Sequence, residues 1–126
     1  YMMFFNMKKL TEREDQIMQV VWRSEGVFIR EIVEKIPNPK PHYNSVATIV
    51  KILVKKGFLK SVKLGNTDRY SAKIPMETYR KEDIKDIKQK YFGNSLPKMM
   101  AHFAKQEKLS DRDIQELIEI IKSKKR

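Results

Sequence analysis

The chain has 126 residues with 27 Lys and Arg against 16 Asp and Glu, a formal charge of +11; that length suits one ordinary domain or two small ones, and that charge suits a polyanionic partner. With no cysteine and only two histidines, His42 and His102, disulfides, thiolate metal sites and cysteine nucleophiles are excluded, so neither a metal nor a cofactor is expected. No apolar run approaches the roughly 18 residues of a membrane span, and the N-terminal YMMFFNM lacks the length and basic leader of a signal sequence, so a cytoplasmic protein without a membrane partner is expected.

Thr11 followed three residues later by Glu14 predicts a capping box at the start of a first helix, with Leu10 as the staple residue. Ile17, Met18, Val21 and Trp22 fall on one face of it. A second helix is predicted over Ile29–Ile36, stopped by Pro37, Pro39 and Pro41. The third is predicted from Tyr43-Asn44-Ser45 to Lys56, with Gly57 as the left-handed residue that ends it. Its buried stripe is Val46, Ile49, Val50 and Leu53, and its opposite face carries Ser45, Thr48, Lys51, Ile52 and Lys55. A hairpin follows, with strands Phe58–Lys63 and Arg69–Ile74 around a turn at Leu64–Asp68. Three helices and a two-stranded wing make a winged helix-turn-helix, giving a mainly α fold with a small β wing and a first domain over residues 7–75.

Beyond Pro75 the periodicity is wholly helical, and residues 76–126 read as a second domain of three helices. Their apolar positions are Tyr79, Ile84, Ile87 and Tyr91, then Leu96, Met99, Met100 and Phe103, then, after a Ser110 cap, Ile114, Leu117, Ile118 and Ile121. About fifty residues cannot hide so many apolar side chains alone. The expectation is therefore an intertwined homodimer built on Ile87, Tyr91, Leu96, Met99, Met100, Phe103, Ile114, Leu117, Ile118 and Ile121; folding back onto the winged helix is the alternative.

Between Lys40 and Lys73 lie eight basic residues and one acid, Asp68, a local balance of +7. A basic helix followed by a basic hairpin is a shape that reaches duplex DNA, helix in the major groove and hairpin on the backbone. The residues expected at that interface are Asn44, Ser45, Thr48, Lys51, Lys55, Lys63, Arg69 and Tyr70. Asn44 and Ser45 could equally cap the third helix, and Tyr70 could either donate to a phosphate or pack against that helix. Wing residues Lys63 and Arg69 are expected on the DNA backbone. No Ser-His-Asp set, glycine-rich phosphate loop or HExxH pattern is present, so an enzyme is not expected. A winged helix used for protein interaction or RNA binding is the rival function.

LTEREDQIMQVVW, the SVATIVKILVKKGFL helix, the Gly65-to-Tyr70 wing and the tail YFGNSLPKMMAHFAKQEKLSDRDIQELIEII together resemble the penicillinase-repressor family, which includes β-lactamase, methicillin-resistance and copper-homeostasis repressors. The resemblance spans about residues 9–121 and implies a dimeric transcriptional repressor on a palindromic promoter operator. The cysteine cluster of copper-responsive members is missing. Where antibiotic-responsive members are cut, commonly between an asparagine and a phenylalanine, this chain has His102-Phe103, which brings a sensor-linked protease into question as a further partner. At Ile52 such repressors often carry an arginine.

Overall fold

The computed structural model describes residues 9–106 and 108–125. The apolar YMMFFNM segment lies outside them. The first helix, α1, spans Glu12–Trp22 and starts with the expected capping box: the Glu14 amide donates to Thr11 Oγ1 at 3.2 Å, and the Thr11 amide donates to Glu14 Oε1 at 2.9 Å. Two orphan donors of the first turn are thereby satisfied. Ile17, Met18 and Val21 are fully buried, and Leu10 closes over them.

α2, Ile29–Lys35, ends one residue earlier than its sequence suggests. Ile36 turns extended and enters the core, where it is almost wholly buried. Lys40 then folds back, its ammonium donating to the carbonyls of Glu34 at 2.6 Å and Ile36 at 3.0 Å. A cation there satisfies the orphan acceptors at a helix C-terminus and suits the negative end of the dipole.

α3 spans Tyr43–Lys56 and stops at Gly57, whose φ of 89° is the left-handed conformation expected of it. Val46, Val50 and Leu53 form its buried stripe, with Ile49 packed at the margin. Neither Asn44 nor Ser45 caps this helix. The cap is His42, whose Nδ1 accepts from the Asn44 amide at 3.2 Å.

The wing comprises β1, Leu59–Leu64, and β2, Thr67–Ala72, antiparallel and in register from Leu59 opposite Ala72 to Leu64 opposite Thr67. Its turn is therefore only Gly65-Asn66, not the five-residue loop expected. Gly65 supplies the positive φ, 63°, that a tight turn of this kind requires at its first central position. Tyr70 also pairs with Val27, adding a bridge from the segment before α2.

α4, Met76–Tyr91, follows Pro75. Its first turn belongs with the winged helix: the Tyr79 hydroxyl accepts from the Leu10 amide at 2.9 Å, and its ring lies 5.8 Å from both Trp22 and Phe58. Trp22 Nε1 donates to the Ile74 carbonyl at 2.9 Å. Two compact units result, one ending at Asp83 and the other beginning at Ile84, so the division falls inside α4 and not at Pro75. The second unit holds the rest of α4, then α5, Leu96–Gln106, and α6, Asp111–Lys125. Gly93 and Asn94, both at positive φ, end α4. Ser110 and Asp113 form the shorter-armed capping box on α6, with bonds of 3.0 and 3.3 Å. None of the helices among the described residues is long and apolar enough to cross a membrane.

Candidate nucleic-acid interface

Because α3 buries Val46, Val50 and Leu53, the side chains about half a turn away must face outward. Those are Asn44, Thr48, Lys51 and Lys55, all exposed, with Ser45 and Ile52 exposed on one flank. The face expected from the sequence is thus formed. Thr48 Oγ1 donates to the Asn44 carbonyl at 3.0 Å, so its hydroxyl oxygen keeps its acceptor capacity for an incoming donor. His42, an exposed histidine of the proline connector that carries no functional signal in the sequence, positions this end of the helix.

Not all of the +7 is available to a partner. Lys40 is spent on the end of α2, and Lys56 pairs with the buried carboxylate of Glu14 at 2.8 Å. Burial pushes the Glu14 carboxyl up, but the hydrogen bond from Lys56, with the Thr11 amide and the Lys56 charge, holds it below its ordinary 4.5. This ion pair ties the end of α3 to the start of α1, a contact between residues 42 positions apart. The other six basic residues of the segment, Lys51, Lys55, Lys60, Lys63, Arg69 and Lys73, are exposed.

The wing separates two residues that the sequence places together. Directly paired residues share a face, and faces alternate along a strand. Lys63 and Asp68 therefore lie on the face that carries Tyr70, whereas Arg69 and Val62 lie on the other. There Arg69 crosses Gly26 so closely that a Cβ on Gly26 would stand 2.4 Å from its Nε. Tyr70 itself is 5% exposed and part of the core, so of the two roles left open for it, packing is the one its position fills. Burial pushes its phenol up, helped by the Asp68 carboxylate, and the group stays a neutral hydroxyl.

Between the wing tip and the starts of α2 and α3 lies an open cleft of about 680 Å³. Arg30 and Lys51 line it, but so do Glu31 and Asp68. Asn44, like Lys51 on the outer face of α3, also lines it, so the recess carries both signs of charge at the margin of that face.

In the second unit Met99, 3% exposed, is the sole buried hydrophobic among the described residues. Tyr91, Leu96, Met100, Phe103, Ile114, Ile118 and Ile121 are exposed, and Ile87 and Leu117 are half-buried. His102 and Phe103 sit inside α5, both exposed, with their rings 5.3 and 6.3 Å from Phe92.

A sequence profile of the penicillinase repressor family matches residues 10–123, nearly the whole chain. The chain belongs to the penicillinase repressor family. As a member it is a DNA-binding transcription regulator, and the matched span contains every side chain placed above on α3, the wing and the tail. The penicillinase repressor of Staphylococcus aureus is 28% identical over 114 residues, 90% of each chain. The methicillin resistance regulatory protein MecI of Staphylococcus aureus (strain N315) is 22% identical over 117 residues, 92% of this chain and 95% of that one. Among solved structures, an ArsR-like transcriptional regulator from Rhodococcus sp. RHA1 aligns with 77% of this penicillinase repressor-family chain and 83% of its own, at 18% identity and a TM-score of 0.47.

Proposed function

We propose that this chain represses transcription by binding duplex DNA as a homodimer at a palindromic operator. In each protomer α3 enters a major groove, with Asn44, Ser45 and Thr48 toward base edges and Lys51 and Lys55 toward phosphates. Lys63, on the Tyr70 face of the wing, meets the neighbouring backbone. Arg69, held over Gly26 on the opposite face, reaches phosphate only by swinging off that glycine. The observation that carries this reading is the outward, uncompensated positive face of α3.

The dimer rests on a separate observation. A helical unit with, among the described residues, one buried apolar side chain and seven exposed ones from the set expected at the interface has no adequate core of its own. A second copy would supply the missing half. With two α3 helices in successive grooves, the half-sites lie about 10–10.5 base pairs apart, centre to centre.

Induction by a sensor-linked protease cutting between His102 and Phe103 extends the same reading. That bond lies in the middle of α5, so cutting requires local unwinding of the helix. Loss of Phe103 and α6 from the pairing surface would then free the operator.

Gel-shift titration tests the DNA part. If ~6–10 phosphates are neutralised per dimer, log affinity falls against log salt with a slope of about −5 to −9. Thr48→Ala relaxes base preference at one position per half-site, at a cost of roughly 1–3 kcal/mol, whereas Lys63→Ala weakens all sequences alike. Parent-like binding by both variants would overturn these assignments.

A further inference from the structure

The outward face of α3 is polar except at one place. Ile52 is 41% exposed, although Thr48 one turn before it, Lys51 beside it and Lys55 three residues on are all hydrophilic and exposed. At about 100° per residue, Ser45, Thr48, Ile52 and Lys55 fall within an arc of about 80° outside the buried stripe of Val46, Val50 and Leu53, with Ser45 and Ile52 on its flank nearer Ile49. Ile52 is thus no stray edge of the core. It is a branched apolar side chain standing among the groups that meet DNA.

An isoleucine side chain, all hydrocarbon, can neither donate nor accept a hydrogen bond, so it cannot read the polar edges of the bases. The major groove offers it one apolar feature, the C5-methyl of thymine. Lys51 and Lys55, one residue before and three residues after it along the chain and both drawn to phosphate, would hold the helix close enough for Ile52 to cover that methyl. A cytosine at the same position would present an amino group to the isoleucine and lose its water without compensation.

We infer that Ile52 is a specificity residue that selects a thymine in each half-site by burying its 5-methyl group. This deepens the DNA-binding reading and rests on it. The contact is chemically separable from every other contact of the helix, because deoxyuridine lacks only that methyl and pairs with adenine as thymine does.

The experiment uses the intact chain and a duplex selected by it from a random pool. Each thymine of the selected site is replaced in turn by deoxyuridine, and Kd is measured for the parent chain and for Ile52→Ala. Ile52 is exposed and alanine favours helix, so the variant folds, which circular dichroism checks. For the parent, one symmetry-related pair of replacements weakens binding about three- to fivefold per methyl, the amount expected for burying one such group. For Ile52→Ala the same replacements change affinity by less than about 1.5-fold, since the methyl has lost its apolar partner. An equal penalty in parent and variant, or a parent insensitive to every replacement while still binding tightly, overturns the role given to Ile52. Failure of the parent to select or bind any duplex is a different result, and it removes the DNA-binding reading along with this one.

Discussion

Phe58→Ala is expected to destabilise the winged-helix unit by about 3–5 kcal/mol, the usual cost of deleting a buried phenylalanine ring. Phe58 is 2% exposed and sits where α3 hands over to the wing. Its ring meets Tyr79 edge to face at 5.8 Å. Its amide donates to the Leu53 carbonyl at 2.9 Å, and its carbonyl accepts from the Lys73 amide at 2.8 Å. Alanine keeps those backbone bonds and removes the ring, so the loss reports on packing alone. Urea unfolding followed by the fluorescence of Trp22, the one tryptophan in the chain, measures it directly. A loss below about 1 kcal/mol would mean that the ring is not part of the core.

Lys56→Met is expected to cost about 1–2 kcal/mol at neutral pH, because it leaves the Glu14 carboxylate buried without its cation. The lower part of the range for such losses applies, since the Lys56 side chain is 35% open to water while that of Glu14 is only 5% open. The pH dependence gives the sharper check. In the parent, Glu14 is held below its ordinary 4.5 in the fold, so its ion pair contributes stability above that value. The contribution is lost as pH falls through the folded-state pKa. In the variant burial acts on the carboxyl with only the Thr11 bonds to oppose it, so the carboxyl protonates more readily and this benefit is absent. Parent and variant should therefore differ most above the ordinary 4.5 and converge as pH falls below it, through the lowered folded-state pKa. A difference independent of pH would contradict the ion pair as the cause.

Several local signals are legible in this sequence because the physics behind them is local, although the cap of α3 falls to His42 and not to Asn44 or Ser45. Thr11 and Glu14 form their box, Ser110 and Asp113 form theirs, and Gly57 ends α3, all within four residues of their partners. The hairpin turn looks wider in the sequence than it is, because Leu64, Thr67 and Asp68 carry no sign of whether they pair. Only the register, which sets Leu64 opposite Thr67 and Lys63 opposite Asp68, shortens the turn to two residues. Composition gives the number of charges but not their employment. Lys40 caps α2, and Lys56 reaches back to Glu14, contacts that a count along the chain cannot reveal. Arg69 and Lys63 looked equivalent until strand alternation put them on opposite faces of the wing.

Division of the chain shows the same limit. Pro75 starts a helix as expected, but Tyr79 donates its ring to the first core and its hydroxyl oxygen to the Leu10 amide, carrying the first turn of α4 into that unit. Nothing in the spacing of Tyr79 from Ile84 distinguishes the two destinations. Most of the exposed stripe of α5 and α6 is legible, because an excess of apolar residues over available core is a property of composition, but Met99 is buried, Leu117 is half-buried and the exposed Ile120 falls outside the expected set.

Selection of duplex DNA by the intact chain from a random pool tests the central claim most directly. Enrichment of an inverted repeat is expected, with half-site centres separated by one helical turn, about 10–10.5 base pairs. Enrichment of a single unrepeated site, or no enrichment over the starting pool at low salt, would contradict it.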